Sequence, residues 1–177
     1  MSEKRISTEQ KDDGILIKIK ALKDESKQKN LSVWLLAWTF CGLAVAYQLI
    51  LEANSDIKTA LLIFMAFWAY FEFKVVKVFR WRRGGEEQFF ISEEKLLYGR
   101  TIKNRGILRP YRKDLVNSVR NIDEEHNTFS RAFADSYWVI GGERLAFTVN
   151  GKIVAFGLRL SDKEAKKLTE LINKHLG

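Results

Sequence analysis

With 177 residues, 29% of them charged, and a mean hydropathy of −0.20, the chain has length for one modest domain besides any membrane segment. Its single cysteine, Cys41, excludes an intramolecular disulfide and a cysteine-built metal site. The net charge of +8 is uneven: residues 80–113 hold ten Lys/Arg against four Asp/Glu, an excess of +6. That placement suits an anionic membrane surface, and nucleic acid is not expected, because aromatics do not interleave the basic residues as stacking platforms do.

Residues 1–30 are expected to be a cytoplasmic, partly disordered segment. Residues 2–13 are polar and charged without an apolar anchor. Residues 14–23 alternate like a strand, yet Ile15, Leu16, Ile19 and Leu22 also share one helical face. An edge strand and a basic amphipathic helix on a membrane both fit. The polar start and an apolar run beginning only at residue 31 are expected to exclude a cleavable signal peptide.

Residues 31–80 read as a transmembrane helical hairpin. Residues 31–51 carry no formal charge and span about 30 Å at helical rise, the hydrocarbon thickness of a bilayer. A second apolar run, 59–78, follows the short polar link 52–58. Lys23, Lys27 and Lys29 precede the pair and Arg80, Arg82 and Arg83 follow it, whereas the link has only Lys58 beside Glu52 and Asp56. The positive-inside rule therefore places both termini in the cytoplasm. Trp34, Trp38, Phe79 and Trp81 near the inner edges and Tyr47 toward the outer side agree. Lys74 and Lys77 can snorkel to the headgroups. Glu72 is an intramembrane charge, expected to pair with Lys74, Lys77 or a basic residue of the following domain, or else to serve an ion or proton pathway. Gly42 and Ala46 form a small-xxx-small pair suited to close helix packing.

After Gly84 and Gly85 the period changes. Strand-like runs fall at 88–91, 96–102, 107–111, 119–122, 137–140, 145–149 and 152–158. Asn150 and Gly151 predict a two-residue type I′ hairpin turn. Ser161 with Glu164 predicts a capping box, and Ala165, Leu168, Leu171, Ile172 and Leu176 give the final helix an apolar face. The expected class is an α+β membrane protein. Its domain, residues 84–177, is an antiparallel β-sandwich or partly open barrel of about seven strands capped by a C-terminal helix.

The strand order, the closing helix and the run Arg109-Pro110-Tyr111-Arg112-Lys113-Asp114-Leu115-Val116-Asn117-Ser118-Val119 resemble bacterial PH-like domains. The hairpin with such a domain is similar to YcxB-like membrane proteins and, in layout, to the photosystem I assembly protein family. That resemblance implies a bacterial inner-membrane location and brings no catalytic residues. Phosphoinositide binding in PH domains uses a basic first hairpin loop, and the comparable connection here is 103–106, preceded by Arg100.

Chemistry is sparse. His175 suits the dipole at a helix C-terminus. His126, beside Asp123, Glu124 and Glu125, matches no defined metal loop. No phosphate-binding glycine motif or nucleophile elbow is present. No enzyme activity, cofactor or metal is expected. The candidate lipid- or partner-binding residues are Arg100, Lys103, Arg105, Arg109, Arg112 and Lys113, and the candidate docking aromatics are Phe129, Phe133, Tyr137 and Trp138. The expected role is a membrane-anchored binding or scaffold protein that contacts a membrane-protein partner or anionic headgroups. The alternatives are an accessory subunit of a transport or enzyme complex that uses Glu72, and an immunity-type protective protein.

Overall fold

In a computed structural model, which describes residues 5–122 and 139–177, Asp24 caps the first helix, α1 (Glu25–Leu51). Its side chain accepts the Lys27 N–H at 3.0 Å, and Glu25 in the first turn complements the helix dipole. The second helix, α2 (Ser55–Gly84), starts on Asn54, whose Oδ1 accepts the N–H groups of Asp56 and Ile57 at 2.9 and 3.3 Å. Only residues 52–54 remain between the helices, because Ser55 to Lys58 join the first turn of α2. With 27 and 30 residues the helices are about 40 and 45 Å long. Both are long and apolar enough to cross a membrane, by length and composition.

The chain divides into two compact units: Lys23–Arg80, and Met1–Leu22 together with Trp81–Gly177. In the second unit, β1 (Ile6–Lys11), β2 (Gly14–Lys20), β3 (Gly85–Ser92), β4 (Lys95–Ile102) and β5 (Arg109–Arg112) form one antiparallel sheet in that order. The strands β6 (Arg120–Asn121), β7 (Glu143–Val149) and β8 (Lys152–Leu158) form another. The helix α3 (Asp162–Leu176) closes the unit, with the Ser161–Glu164 capping box in place.

Residues 5–22 are therefore not a separate tail. β1 pairs with β2 over six residues, so the expected disorder does not extend across 6–11. β2 is a strand because β3 offers it a ladder from Gly14↔Ser92 to Lys20↔Glu86, and Ile15, Ile17 and Ile19 then alternate into the core. Residues 23–80 are thus inserted between two neighbouring strands of one sheet.

The core joins both sheets to α3. Phe89 lies 4.6 Å, centroid to centroid, from both Tyr98 and Phe156, and Phe147 lies 5.6 Å from Tyr111. Ala165, Leu168 and Ile172 of α3 seal it. Tyr111 and Val119 of the 109–119 run both pack in this core, which explains their place in that run. Asn150 and Gly151 take φ 49° and 74°, as the hairpin turn requires. Val139 and Ile140 form a bend and not the expected strand. Phe129, Phe133, Tyr137, Trp138 and His126 with its acidic neighbours lie outside the described residues.

Candidate functional site

Antiparallel register decides which residues share an end of the sheet. β2 finishes where β3 starts, and the Ala21 N–H continues the ladder to Gly85 O at 2.9 Å. The final turn of α2 leads into β3 at the same place. A Cβ on Gly85 would collide with the Trp81 indole, so that sharp exit needs glycine. The turn between β4 and β5 also falls at this end: the Lys103 N–H donates to Gly84 O at 3.0 Å. Both chain connections to Lys23–Arg80 and the basic turn therefore leave from one end of the unit.

The turn is tightly specified. Lys103 and Asn104 adopt φ 51° and 61°, closed by an Ile102↔Arg105 bridge. Gln88 Nε2 donates to Asn104 Oδ1 at 3.5 Å. A Cβ on Gly106 would meet Arg100 O at 2.6 Å, so the chain beyond the turn lies flat against β4. Lys103, Arg105 and Arg109 are exposed, and their side chains have no ion-pair partner among the described residues. Ile107 stands between Arg105 and Arg109 and is 83% exposed. Because β5 is the fifth strand of its sheet, this turn is not the first hairpin of the domain.

The structure does not bring the six candidate cations together. Arg100 is engaged: its Nε donates to Glu87 at 3.3 Å and a terminal nitrogen to Glu143 at 2.7 Å. Glu87, 1% exposed, is the reason. A carboxylate so buried needs partners. One oxygen also takes the Tyr98 hydroxyl at 2.8 Å, and the other takes the Gly157 and Leu158 N–H groups at 2.9 and 3.0 Å. The group bolts β3 and β4 to β8. Burial, and then the adjacent Glu87 charge, push the Tyr98 hydroxyl well above its ordinary range. Burial works against the Arg100 charge, but the Glu87 and Glu143 carboxylates outweigh it and raise its pKa. Arg82 is also structural, 7% exposed and donating to Val139 O at 3.3 Å.

Arg112 and Lys113 lie at the opposite end of the sheet, where Lys95 pairs with Arg112. Arg112 donates to both Asp114 oxygens, at 3.2 and 2.6 Å, and that hydrogen bond holds the Asp114 carboxyl below its ordinary range. Lys113 borders an open depression of about 700 Å³ with Asp12, Asp13, Glu93, Glu94 and His175. Among the described residues no group of three or more His, Cys, Asp or Glu is placed to hold a metal.

In Lys23–Arg80, Leu31, Leu35, Trp38, Gly42, Val45 and Leu49 of α1, all buried or half-buried, follow alternating steps of four and three, as do Leu61, Met65, Trp68, Glu72, Val75 and Phe79 of α2. Trp68 Nε1 donates to Trp38 O at 3.0 Å, and its ring covers Gly42, where a Cβ would clash. Glu72 faces the other helix and no lysine: Oε1 accepts the Thr39 hydroxyl at 2.9 Å. Oε2 is buried and has no partner among the described residues. The expected pairing with Lys74 or Lys77 is absent because both point elsewhere on the helix surface, Lys74 Nζ lying 5.4 Å from the Tyr70 ring.

No family model matches the chain, and neither the curated proteins nor the solved structures contain a match. Three residues carry weight that sequence reasoning missed. Glu87 was legible in principle, since it shares strand parity with Phe89 and Ile91 and so faces inward. Arg5 donates to the carbonyls of Lys20, Leu158 and Arg159 at 3.1, 2.9 and 2.8 Å, and only the folded chain brings these together. Ile107 is an apolar residue among cations, whose exposure no local pattern announces.

Proposed function

We propose that this chain is a non-enzymatic, membrane-anchored binding protein, in which a two-span hairpin inserted into a PH-like domain holds that domain at the cytoplasmic face of a bacterial inner membrane. The supporting observation is the outer surface of α1 and α2. Val33, Phe40, Tyr47, Ile50, Phe67 and Phe73 are each 64–79% exposed. An apolar side chain of this size left in water forgoes about 1.5–3 kcal/mol of burial. Hydrocarbon removes that deficit, whereas water cannot. The two antiparallel sheets, the closing helix and the core roles of Tyr111 and Val119 support the PH-like reading. The lysine and arginine flanks support the orientation. A reporter active only outside the cell, fused within 52–54, is expected to be active, and the same reporter after Gly177 silent. The protein should stay in the pellet after alkaline carbonate extraction. Release by carbonate overturns the anchor, and an active reporter after Gly177 overturns the orientation. A pull-down from native membranes in mild detergent should recover a membrane-protein partner; recovery of the bait alone overturns the scaffold role.

A second reading has one observation behind it, the unpartnered Glu72 Oε2 in the helix seam. If Glu72 works as an intramembrane charge in a transport or enzyme complex, Glu72→Gln abolishes function at normal membrane level. If it is a clasp to Thr39, the amide retains an acceptor for that hydroxyl and function survives.

A further inference from the structure

The geometry points to residues 103–109 as a docking strip for an anionic bilayer surface, with Ile107 as its apolar anchor and Lys103, Arg105 and Arg109 as its headgroup contacts. This rests on the hairpin reading above. Ile107 is the most exposed large apolar side chain among the described residues. It stands between two arginines. The left-handed pair Lys103 and Asn104, the Lys103 bond to Gly84 and the close approach of Gly106 to Arg100 define the turn that presents it.

Charge state separates this strip from the other cations of the domain. Arg100 is satisfied by Glu87 and Glu143, and Arg112 by Asp114. Lys103, Arg105 and Arg109 have no carboxylate partner among the described residues. The strip also occupies the end from which both connections to the helices depart, with Lys103 bonded to the last residue of α2. Both chain connections to a membrane-inserted hairpin are therefore made at this end, and neither at the Asp12 and Glu93 end. An apolar tip among cations matches an interface where headgroups are anionic and the layer beneath is apolar. A folded protein partner is the competing occupant, and the strip offers it one apolar side chain, far short of a buried cluster.

The test uses the full chain in a Cys41→Ala background, reconstituted into phosphatidylcholine vesicles with and without phosphatidylglycerol. Ile107→Cys reports accessibility through its rate of reaction with a membrane-impermeant maleimide, and Glu93→Cys serves as the control at the opposite end. Each cation near an anionic surface favours contact roughly fivefold. Protection of position 107 in anionic vesicles should therefore exceed that in zwitterionic ones by at least about tenfold, with position 93 unchanged. Adding Arg105→Gln and Arg109→Gln should cut the contact equilibrium roughly twenty-fivefold, and raised salt should weaken it in the wild-type strip. Equal reaction rates at 107 in both lipids overturn the inference. So does protection seen only in native membranes, which would assign the strip to a protein. Failure of the chain to float with the vesicles at all indicts the hairpin reading, a result separable from either of these.

Discussion

Replacing Glu87 by glutamine tests whether one buried carboxylate holds the two sheets together. The amide keeps a carbonyl oxygen for the Gly157 and Leu158 N–H groups, now 2.9 and 3.0 Å from Oε2. It then turns an NH2 toward the Tyr98 hydroxyl and the Arg100 Nε–H. The tyrosine can rotate to accept, but the arginine meets a donor. What is lost is one charge-assisted hydrogen bond, worth about 1.5–3 kcal/mol, together with the charge that the two backbone donors enjoyed. Arg100 is about a third exposed and keeps Glu143, so solvent screens part of the loss. The net cost should be about 2–3 kcal/mol, which for a chain of this length lowers the melting temperature by about 4–12 °C. Near-ultraviolet circular dichroism of the full chain in detergent reads the aromatic cluster directly. Tyr98→Phe in the same background should add less than it does in wild type, because both changes break the same oxygen's contacts. A glutamine variant melting within about 1 °C of wild type would falsify the assignment of a cross-sheet role to the carboxylate.

The Tyr98 hydroxyl is raised above its ordinary value of 10.0, so its share of stability is intact below pH 10 and lost as pH climbs beyond it. In an alkaline titration followed by near-ultraviolet circular dichroism, Tyr98→Phe should tolerate higher pH relative to its own neutral stability; a variant that loses its fold at the same pH as wild type counts against it. Arg5→Ala should free β1, costing about 1–3 kcal/mol for the carbonyls left unpaired, and Arg5→Lys should not rescue it because an ammonium lacks the planar fork. Limited proteolysis near residue 11 reports this, and an unchanged cleavage rate would refute it. Gly42→Leu should destabilise the helix pair by about 1–3 kcal/mol through overpacking against Trp68, and Trp68→Ala should relieve part of that in detergent melting. Additive effects would mean that the two residues do not touch.

Local pattern determined much of this protein. Two apolar runs separated by a few polar residues dictate two long helices, because nothing in residues 31–51 offers a charge to a solvated face. Asn150 with Gly151, and Ser161 with Glu164, dictate a hairpin turn and a helix start through bonds made within a few residues of each other. Tertiary structure alone decided that residues 14–20 are a strand, since the same spacing serves a helix until β3 supplies a ladder across a 64-residue gap between Lys20 and Gly85. It also decided which cations have carboxylate partners among the described residues. Arg100, Lys103, Arg105, Arg109, Arg112 and Lys113 look alike in sequence, yet pairing depends on carboxylates brought from β3, β7 and the segment after β5. Glu87, Glu143 and Asp114 claim two of them, and strand direction sends Arg112 and Lys113 to the far end. The charge of a segment can be counted from its residues, but its availability is set by what the fold places opposite each one.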